Sequence, residues 1–291
     1  EGGEPWVNGA SMNNQGVEFT VSFKSDPSSE FQWAVSANIG TYKTELTDLP
    51  SNVINKYAGD GVHDLILGRS PNSAYGLVAD GIFKTQEEVD AHADQPGKAV
   101  GRIRYKDLDG DGVINETYDR TWIGCYDPDF FGGLNFDFAY KGFDLNLFFE
   151  GMFGNDVNSD WKKESDIWLF TNPAWKNHAT RMLGGWSPDN PNSDIPAISN
   201  NTANQEQRFS SWFIEDGSYI KLRNIELGYT FPTKLIKKMH MSNLRLYAAA
   251  YNVFTLKKFW GDDKYTSFDP ERPSYHYLTP FTFNFGINVS F

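Results

Sequence analysis

Long apolar runs and cysteine are both scarce in this chain of 291 residues. The densest apolar stretch, residues 244–254, is interrupted by Arg245 and Asn252, whereas a membrane-spanning helix needs about 18 consecutive apolar residues. The single cysteine, Cys125, excludes an internal disulfide and is best explained as a small buried residue. The sequence therefore predicts neither a helical membrane protein nor a disulfide-stabilised domain.

Positive charge is also in short supply, because 26 Lys and Arg face 38 Asp and Glu, for a formal net charge of -12. Nucleic acid is an unfavourable partner, since neutralising its phosphates requires a basic surface. Residues 1–6 contain neither the basic region nor the apolar region of a secretory signal peptide, which indicates a processed or truncated chain.

Aromatic residues, by contrast, are abundant at 16% in a chain whose mean hydropathy is only -0.52. At the C-terminal end, apolar and polar residues alternate from Phe281 to Phe291, with every second residue apolar. One apolar and one polar face over this length are typical of a tilted membrane strand of about 9 to 11 residues. The terminal Phe291 also resembles the assembly signal of outer-membrane barrels. A soluble β-sandwich strand alternates as well, so that alternative stays open.

The same alternation recurs in six earlier segments, and together they predict seven antiparallel strands. The segments are 17–23, 31–39, 134–140, 143–149, 219–231, 244–254 and 281–291. Between Leu222 and Ile225 the apolar phase changes, which predicts a β-bulge near Arg223 and Asn224.

The connections between these strands alternate in length. Short ones at 26–29, 141–142 and 232–243 separate long ones at 42–130, 152–218 and 255–280, as in a membrane barrel with tight periplasmic turns and large extracellular loops. We therefore predict an all-β fold, in which residues 1–291 form the C-terminal segment of a transmembrane antiparallel β-barrel. Seven strands cannot close such a barrel without leaving backbone groups unpaired in lipid, so earlier strands are expected from a longer parent.

A series of short motifs resembles the SusC-like (SusC/RagA) TonB-dependent outer-membrane transporters. The motifs occur in the family's order and are YKDLDGDG (105–112), DRTWIG (119–124), PDFFGG (128–133), FDL (143–145), FIEDGSYIKL (213–222), LGY (227–229), NLRLY (243–247), NVF (252–254) and FDPE (268–271). Together they span residues 105–291, whereas residues 1–104 match in strand pattern alone.

The resemblance implies a barrel of about 22 strands around an N-terminal plug, located in the bacterial outer membrane. It implies import of a bulky nutrient, such as an oligosaccharide or a peptide, with energy from TonB and with a SusD-like surface lipoprotein as lid. The plug, the TonB-contacting segment and the remaining barrel strands are absent from this chain and are expected from the parent protein.

An acidic loop in the first long connection is a candidate calcium site. Carboxylates at alternate positions, a glycine and a backbone carbonyl supply the hard oxygens that Ca²⁺ prefers. In an EF-hand loop the twelfth position is acidic, but here it is Tyr118, and a carboxylate follows one residue later. The alternative is a solvated Asp/Gly turn without metal. The candidate ligands are Asp107, Asp109, Asp111, Val113 and Asp119.

Five tryptophans in the long connections are candidates for substrate or partner contact, because a sugar ring stacks on an aromatic face. They are equally suited to filling small cores within these connections, which is the simpler interpretation. The five are Trp161, Trp168, Trp175, Trp186 and Trp212.

No catalytic residue is predicted. The five histidines, at positions 63, 92, 178, 240 and 276, show no ligand spacing, and no nucleophile lies beside a base. Two further functions remain alternatives to TonB-dependent import. The first is a passive porin or adhesin with the same barrel, and the second is a soluble sugar-binding β-sandwich.

Overall fold

The computed structural model describes residues 9–50, 64–168, 178–199, 201–257, 266–273 and 277–291, with Trp168 and Thr202 described by their backbone alone. Its strands are β1 (Ser11–Lys24), β2 (Phe31–Asp48), β3 (Ser73–Leu77), β4 (Ala79–Ile82), β5 (Ile103–Tyr105), β6 (Arg120–Cys125), β7 (Phe130–Tyr140), β8 (Phe143–Phe153), β9 (Asp156–Asn158), β10 (Ile214–Asp216), β11 (Tyr219–Thr230), β12 (Asn243–Lys257) and β13 (Thr282–Ser290).

Helical segments are short. They are α1 (Gln86–Ala91), α2 (Asp160–Lys162) with the π-helical turn Lys163–Trp168 after it, α3 (Thr233–Ile236), and the 3-10 turns Thr180–Gly184, Thr202–Asn204, Ser211–Phe213 and Lys237–Met239. Within the described ranges, every helix is too short or too polar to span a bilayer.

Seven of the strands form one antiparallel sheet in the order β1-β2-β7-β8-β11-β12-β13, so that spatial order follows chain order. The predicted all-β, antiparallel fold is thereby confirmed. The sheet is open, because β1 and β13 each pair with one neighbour in the described chain. The remaining strands form three small two-stranded sheets, β3 with β6, β4 with β5 and β9 with β10.

Local sequence explains two details of the sheet. The β7–β8 hairpin turns on Lys141 and Gly142, whose positive φ values of 49° and 87° suit a two-residue turn that follows strand twist. On β11 the pairing register shifts between Leu222 and Asn224 against both neighbouring strands. The bulge predicted from the change of apolar phase is therefore confirmed.

The sheet has one apolar face and one polar face that stay in register from strand to strand. One apolar row runs from β13 to β2 through Phe285, Ala248, Leu227, Leu145, Phe138 and Trp33. Large apolar side chains on this face remain exposed, among them Val17, Phe19, Leu227, Phe285 and Ile287. A β-sandwich would bury such a face under a second sheet, and the described residues form no such layer.

The buried core lies beside the sheet, within the long connections. Its cluster draws residues from the first two of them: Leu77, Ile82, Ile103, Tyr105, Ile114, Ile167 and Phe213. Arg102 joins the same connections by an ion pair with Glu206 (Nη1–Oε2, 2.7 Å), and Glu206 also accepts the Ile103 N–H at 2.8 Å. Burial raises the pKa of Glu206, and Arg102 opposes that shift. The two connections therefore fold as one unit.

The first long connection begins later than residue 42, because β2 continues to Asp48 and pairs there with Ser11 at the start of β1. The β1–β2 hairpin thus extends beyond the end of β7, whose pairing with β2 stops at Gly40 and Phe131. The polar side chains of this extension, such as Lys43 and Glu45, form their own ion pair.

Candidate functional site

A continuous hydrogen-bond network crosses the polar face of the sheet. Asn146 on β8 donates through Nδ2 to Asn135 Oδ1 (3.0 Å) and to Asp137 Oδ1 (2.7 Å) on β7. Asn224 on β11 donates in turn to Asn146 Oδ1 at 2.9 Å. Because these amides alternate with apolar residues along each strand, they share one face. The arrangement gives this face a row of hydrogen-bonding groups suited to water or a polar solute.

Charged groups continue this polar face toward β12. Arg245 donates through Nε to Asp144 Oδ1 on β8 (3.0 Å) and through Nη2 to Glu226 Oε1 on β11 (2.7 Å). A single guanidinium therefore ties three neighbouring strands together, as its forked geometry allows.

Residues 266–273 of the last long connection, here called the strap, are bound onto the same polar face. Lys221, which is 2% exposed, places its Nζ 3.1 Å from Asp269 Oδ1 and also binds Glu271. Arg223 contacts Glu271 as well and donates through Nε to Glu150 Oε2 at 2.9 Å. Burial raises the pKa of Glu271, but Lys221 and Arg223 donate to its carboxylate and bring the pKa below its ordinary value.

The strap is also joined to the second long connection. The carboxylate of Glu215 accepts both Thr266 N–H (3.0 Å) and Thr266 Oγ1–H (2.8 Å), and Ser159 Oγ lies 2.8 Å from Ser267 Oγ. Trp161 packs edge-on against Phe268 with ring centroids 4.6 Å apart. Three segments that are distant in the sequence therefore meet at one end of the polar face.

A cavity of about 540 Å³ lies between the strap, the end of β8, β9 and the start of β11. Its lining includes Tyr126, Asn155, Asp156, Asp160 and Glu271. Three of these side chains, Asp156, Asp160 and Glu271, are acidic.

The predicted calcium ligands are only partly gathered. Carboxylate oxygens of Asp107, Asp109 and Asp119 lie within 4.8 Å of one another, and Asp119 is fully buried. The Asp111 carboxylate lies outside this group and accepts the N–H of Val113 at 2.7 Å. Gly110 and Gly112 turn the loop with φ of 75° and 84°, which favours glycine. The gathered carboxylates also accept backbone N–H groups of the loop itself: Asp107 from Gly110 (2.8 Å) and Gly112 (2.9 Å), Asp109 from Asp111 (3.2 Å), and Asp119 from Leu108 (2.8 Å) and Asn115 (2.7 Å).

The five tryptophans are distributed over different environments. Trp186 and Trp212 pack against the core cluster, whereas Trp161 lies beside the strap. Trp175 and the side chain of Trp168 lie outside the described residues. The ring of Trp212 also faces Lys162 Nζ at 4.7 Å.

Sequence reasoning missed the residues that hold the strap. Lys221 and Arg223 lie at alternate positions of β11, just before the bulge, and their acidic partners follow about 50 residues later. The signal that could have found them is the pair of basic residues at polar positions of a strand, together with an acidic Asp-Pro-Glu sequence in the following long connection.

The comparisons with known proteins agree with this geometry. No family model matches the chain. The chain is 30% identical over 298 residues to TonB-dependent receptor P3 of Formosa agariphila, which covers 96% of this chain and 29% of that receptor. It is 26% identical over 294 residues to TonB-dependent receptor SusC of Bacteroides thetaiotaomicron, covering 97% of this chain and 26% of SusC. The chain belongs with the SusC-like TonB-dependent receptors.

This SusC-like chain spans less than a third of the length of the relatives it matches. Among solved structures it is similar to the RagAB peptide transporter, with a TM-score of 0.72 and 23% identity over 98% of this chain and 30% of that one. That likeness shows the fold, a part of a barrel whose sheet is open in this chain. The resemblance predicted from residues 105–291 is confirmed, and the similarity extends over nearly the whole chain.

Proposed function

We propose that this SusC-like chain forms part of the wall and the outer loops of a bacterial outer-membrane importer for a bulky nutrient. The observation that carries the proposal is the two-sided sheet, whose exposed apolar face suits lipid and whose opposite face is a row of amides and ion pairs. Alternating apolar and polar residues are what a strand between hydrocarbon and a wet interior requires. The similarity to TonB-dependent receptors supports the same role.

In this proposal the chain binds and guides the nutrient and carries no catalytic step. The polar face lines the path, and the strap covers one end of that face. Energy transfer from TonB, and closure by a SusD-like lipoprotein, act through parts of the longer relatives. Oligosaccharide and peptide are both compatible cargo classes for such a path. Among the described tryptophans, Trp161 is the one that packs against the strap, and in this proposal it is the one that touches cargo.

The test is uptake by cells that carry the complete receptor. Labelled oligosaccharides and peptides are supplied to the wild type, to a receptor deletion, and to strains lacking TonB or the neighbouring SusD-like protein. We expect uptake of one cargo class to require all three components. Uptake that persists without TonB would favour a passive porin. A chain that folds as a monomer in water without detergent would favour the sandwich and contradict the proposal.

We also propose that the acidic loop binds Ca²⁺ through Asp107, Asp109 and Asp119. Three carboxylates within 4.8 Å repel one another, and a divalent cation with hard-oxygen preference removes that repulsion. Calcium added to the chelator-treated complete receptor should raise its melting temperature, and Asp109→Asn should abolish the rise. An unchanged melting temperature in both states would leave a metal-free Asp/Gly turn. Asp111 and Val113 would then be turn residues rather than ligands.

A further inference from the structure

The cavity beside the strap has two carboxylates, Asp156 and Asp160, that form no ion pair with a described basic group. The described residues that line it include three carboxylates and no Lys, Arg or His. Glu271 is already paired with Lys221 and Arg223, as described above. Asp156 and Asp160, by contrast, have no ion pair with any described residue, and the hydrogen bond of Asp156 is with the backbone N–H of Cys125 at 2.8 Å.

The ionisation of neighbouring groups reflects this charge. Burial, assisted by Asp216 and Asp129, raises the pKa of Asp156 above its ordinary value. Burial, assisted by the carboxylates of Asp156 and Asp160, raises the pKa of the Tyr126 hydroxyl. Both carboxylates therefore act on Tyr126, which lines the same cavity and is 37% exposed.

The amides beside these carboxylates are acceptors without donors. Asn155 lines the cavity and is only 6% exposed, yet its Oδ1 has no hydrogen-bond partner in the described chain. The Oδ1 of Asn158, which lines the same cavity, is likewise buried without a partner. Buried acceptors are almost always satisfied in native proteins, so two unpaired acceptors at one cavity require donors that the described residues do not supply.

We propose that this cavity binds a primary ammonium group of the imported cargo, with Asp156 and Asp160 as counter-charges. An ammonium carries one positive charge and three N–H donors, which matches a site of carboxylates and amide oxygens with an aromatic face nearby. The proposal rests on the import function proposed above. It narrows the cargo to cationic nutrients, either lysine-bearing peptides or oligomers of an unacetylated amino sugar.

A metal ion fits this cavity less well than an ammonium. Ca²⁺ requires six to eight oxygens at close range. Among the described residues, the group of three carboxylates within 4.8 Å is the one at Asp107, Asp109 and Asp119, so the three cavity carboxylates are not gathered at that distance. The chain's formal net charge of -12 favours a cationic cargo as well, because it attracts cations to the surface.

The test is equilibrium binding to the purified complete receptor. The probes are fluorescent pentalysine and a fluorescent glucosamine pentamer, each beside its fully N-acetylated counterpart, and CaCl₂ alone. The variants are Asp156→Asn, which keeps an acceptor for the Cys125 N–H, and Asp160→Asn. The matched control is Asp189→Asn, which removes an exposed carboxylate of the second long connection, outside the cavity lining.

We expect at least one unmodified probe to bind, with its acetylated form bound more weakly. Each cavity variant should weaken binding about tenfold, the size expected for a lost charge-assisted hydrogen bond, and Asp189→Asn should leave it unchanged. Preference for pentalysine or for the glucosamine pentamer identifies the source of the ammonium.

Equal affinity of wild type and both cavity variants for every organic probe would overturn the proposal. Binding of CaCl₂ alone, abolished by the cavity variants, would assign a metal site and overturn it too. Binding to the purified receptor is measured separately from TonB-dependent uptake by cells. If the probes bind as expected but wild-type cells show no TonB-dependent uptake, the import function is refuted and the ammonium site is retained.

Discussion

We expect an arginine to prevent membrane assembly at one position of β13 and to be tolerated at the adjacent position. Phe285 lies on the apolar face opposite Ala248 and is 77% exposed, while Asn284 lies on the polar face opposite Ala249. Phe285 is the fourth of nine strand residues, so it falls near the middle of the membrane if the strand spans it. The two changes add the same charge at neighbouring residues, which makes each the control for the other.

The magnitudes separate the two variants clearly. Phe285→Arg loses about 1.5–3 kcal/mol of apolar burial in lipid and adds about 2–4 kcal/mol for an arginine at mid-bilayer, together roughly 3.5–7 kcal/mol. Asn284→Arg keeps the apolar face intact, and its charge faces the wet side, where the cost is about 0–1 kcal/mol. That range is the one found for arginine near the membrane interfaces.

The assay is the folded fraction of the complete receptor in outer-membrane preparations, read from heat-dependent gel mobility and from surface labelling. We expect Phe285→Arg to reduce the folded fraction severely, and Asn284→Arg and Phe285→Leu to approach the wild type. Equal losses in the two arginine variants, or normal assembly of Phe285→Arg, would refute the assignment of faces.

Three further outcomes follow from the contacts described above. Lys221→Met leaves the buried Asp269 without its counter-charge, whereas Glu271 keeps Arg223, and should destabilise the strap by about 3–5 kcal/mol. The measurement is proteolysis of the strap, which should become faster, and an unchanged rate would argue against the ion pair. Gly286→Ala places a Cβ 2.2 Å from the Tyr247 ring and should lower the stability by about 1–3 kcal/mol, measured by thermal unfolding. Adding Tyr247→Ser should restore the stability, and a stable single variant would contradict the close contact. Burial lowers the pKa of Lys162 to about 8 from 10.5, so the folded state binds fewer protons than the unfolded state between those values. The free energy of unfolding should therefore rise as pH increases from about 8 to 10.5, and a Lys162→Met variant should lose this rise.

The sheet could be predicted from the sequence because the patterns that indicate its strands and turns involve residues close together in the chain. Alternation with period two assigns each side chain to a face, and the change of phase beside Leu222 locates the bulge that the register confirms. A two-residue connection at Lys141 and Gly142 similarly fixes the β7–β8 register. Neighbouring residues are sufficient for these inferences, and no long-range contact has to be known.

The folded connections could not be predicted in the same way. Arg102 and Glu206 form a buried pair although 104 positions separate them, and Lys221 meets Asp269 across 48. Nothing in either local sequence identifies the partner, because many other acidic residues have the same chemistry. The candidate tryptophans show the same limit, since core packing of Trp212 depends on strands and turns from both connections. The cavity beside the strap likewise exists only after these segments meet.

The strands follow one another in the sheet in the same order as in the chain, which affects how related sequences can differ in length. Each strand is hydrogen-bonded only to its predecessor and successor in the sheet, so a residue inserted in a connecting segment shifts no ladder pairing. The sheet therefore tolerates changes in the length of the segments that connect its strands. Alignments with the relatives, which run from 294 to 325 positions, are consistent with variation of this kind. The connecting segments can therefore change in length and sequence while the hydrogen-bonded order of the strands is kept.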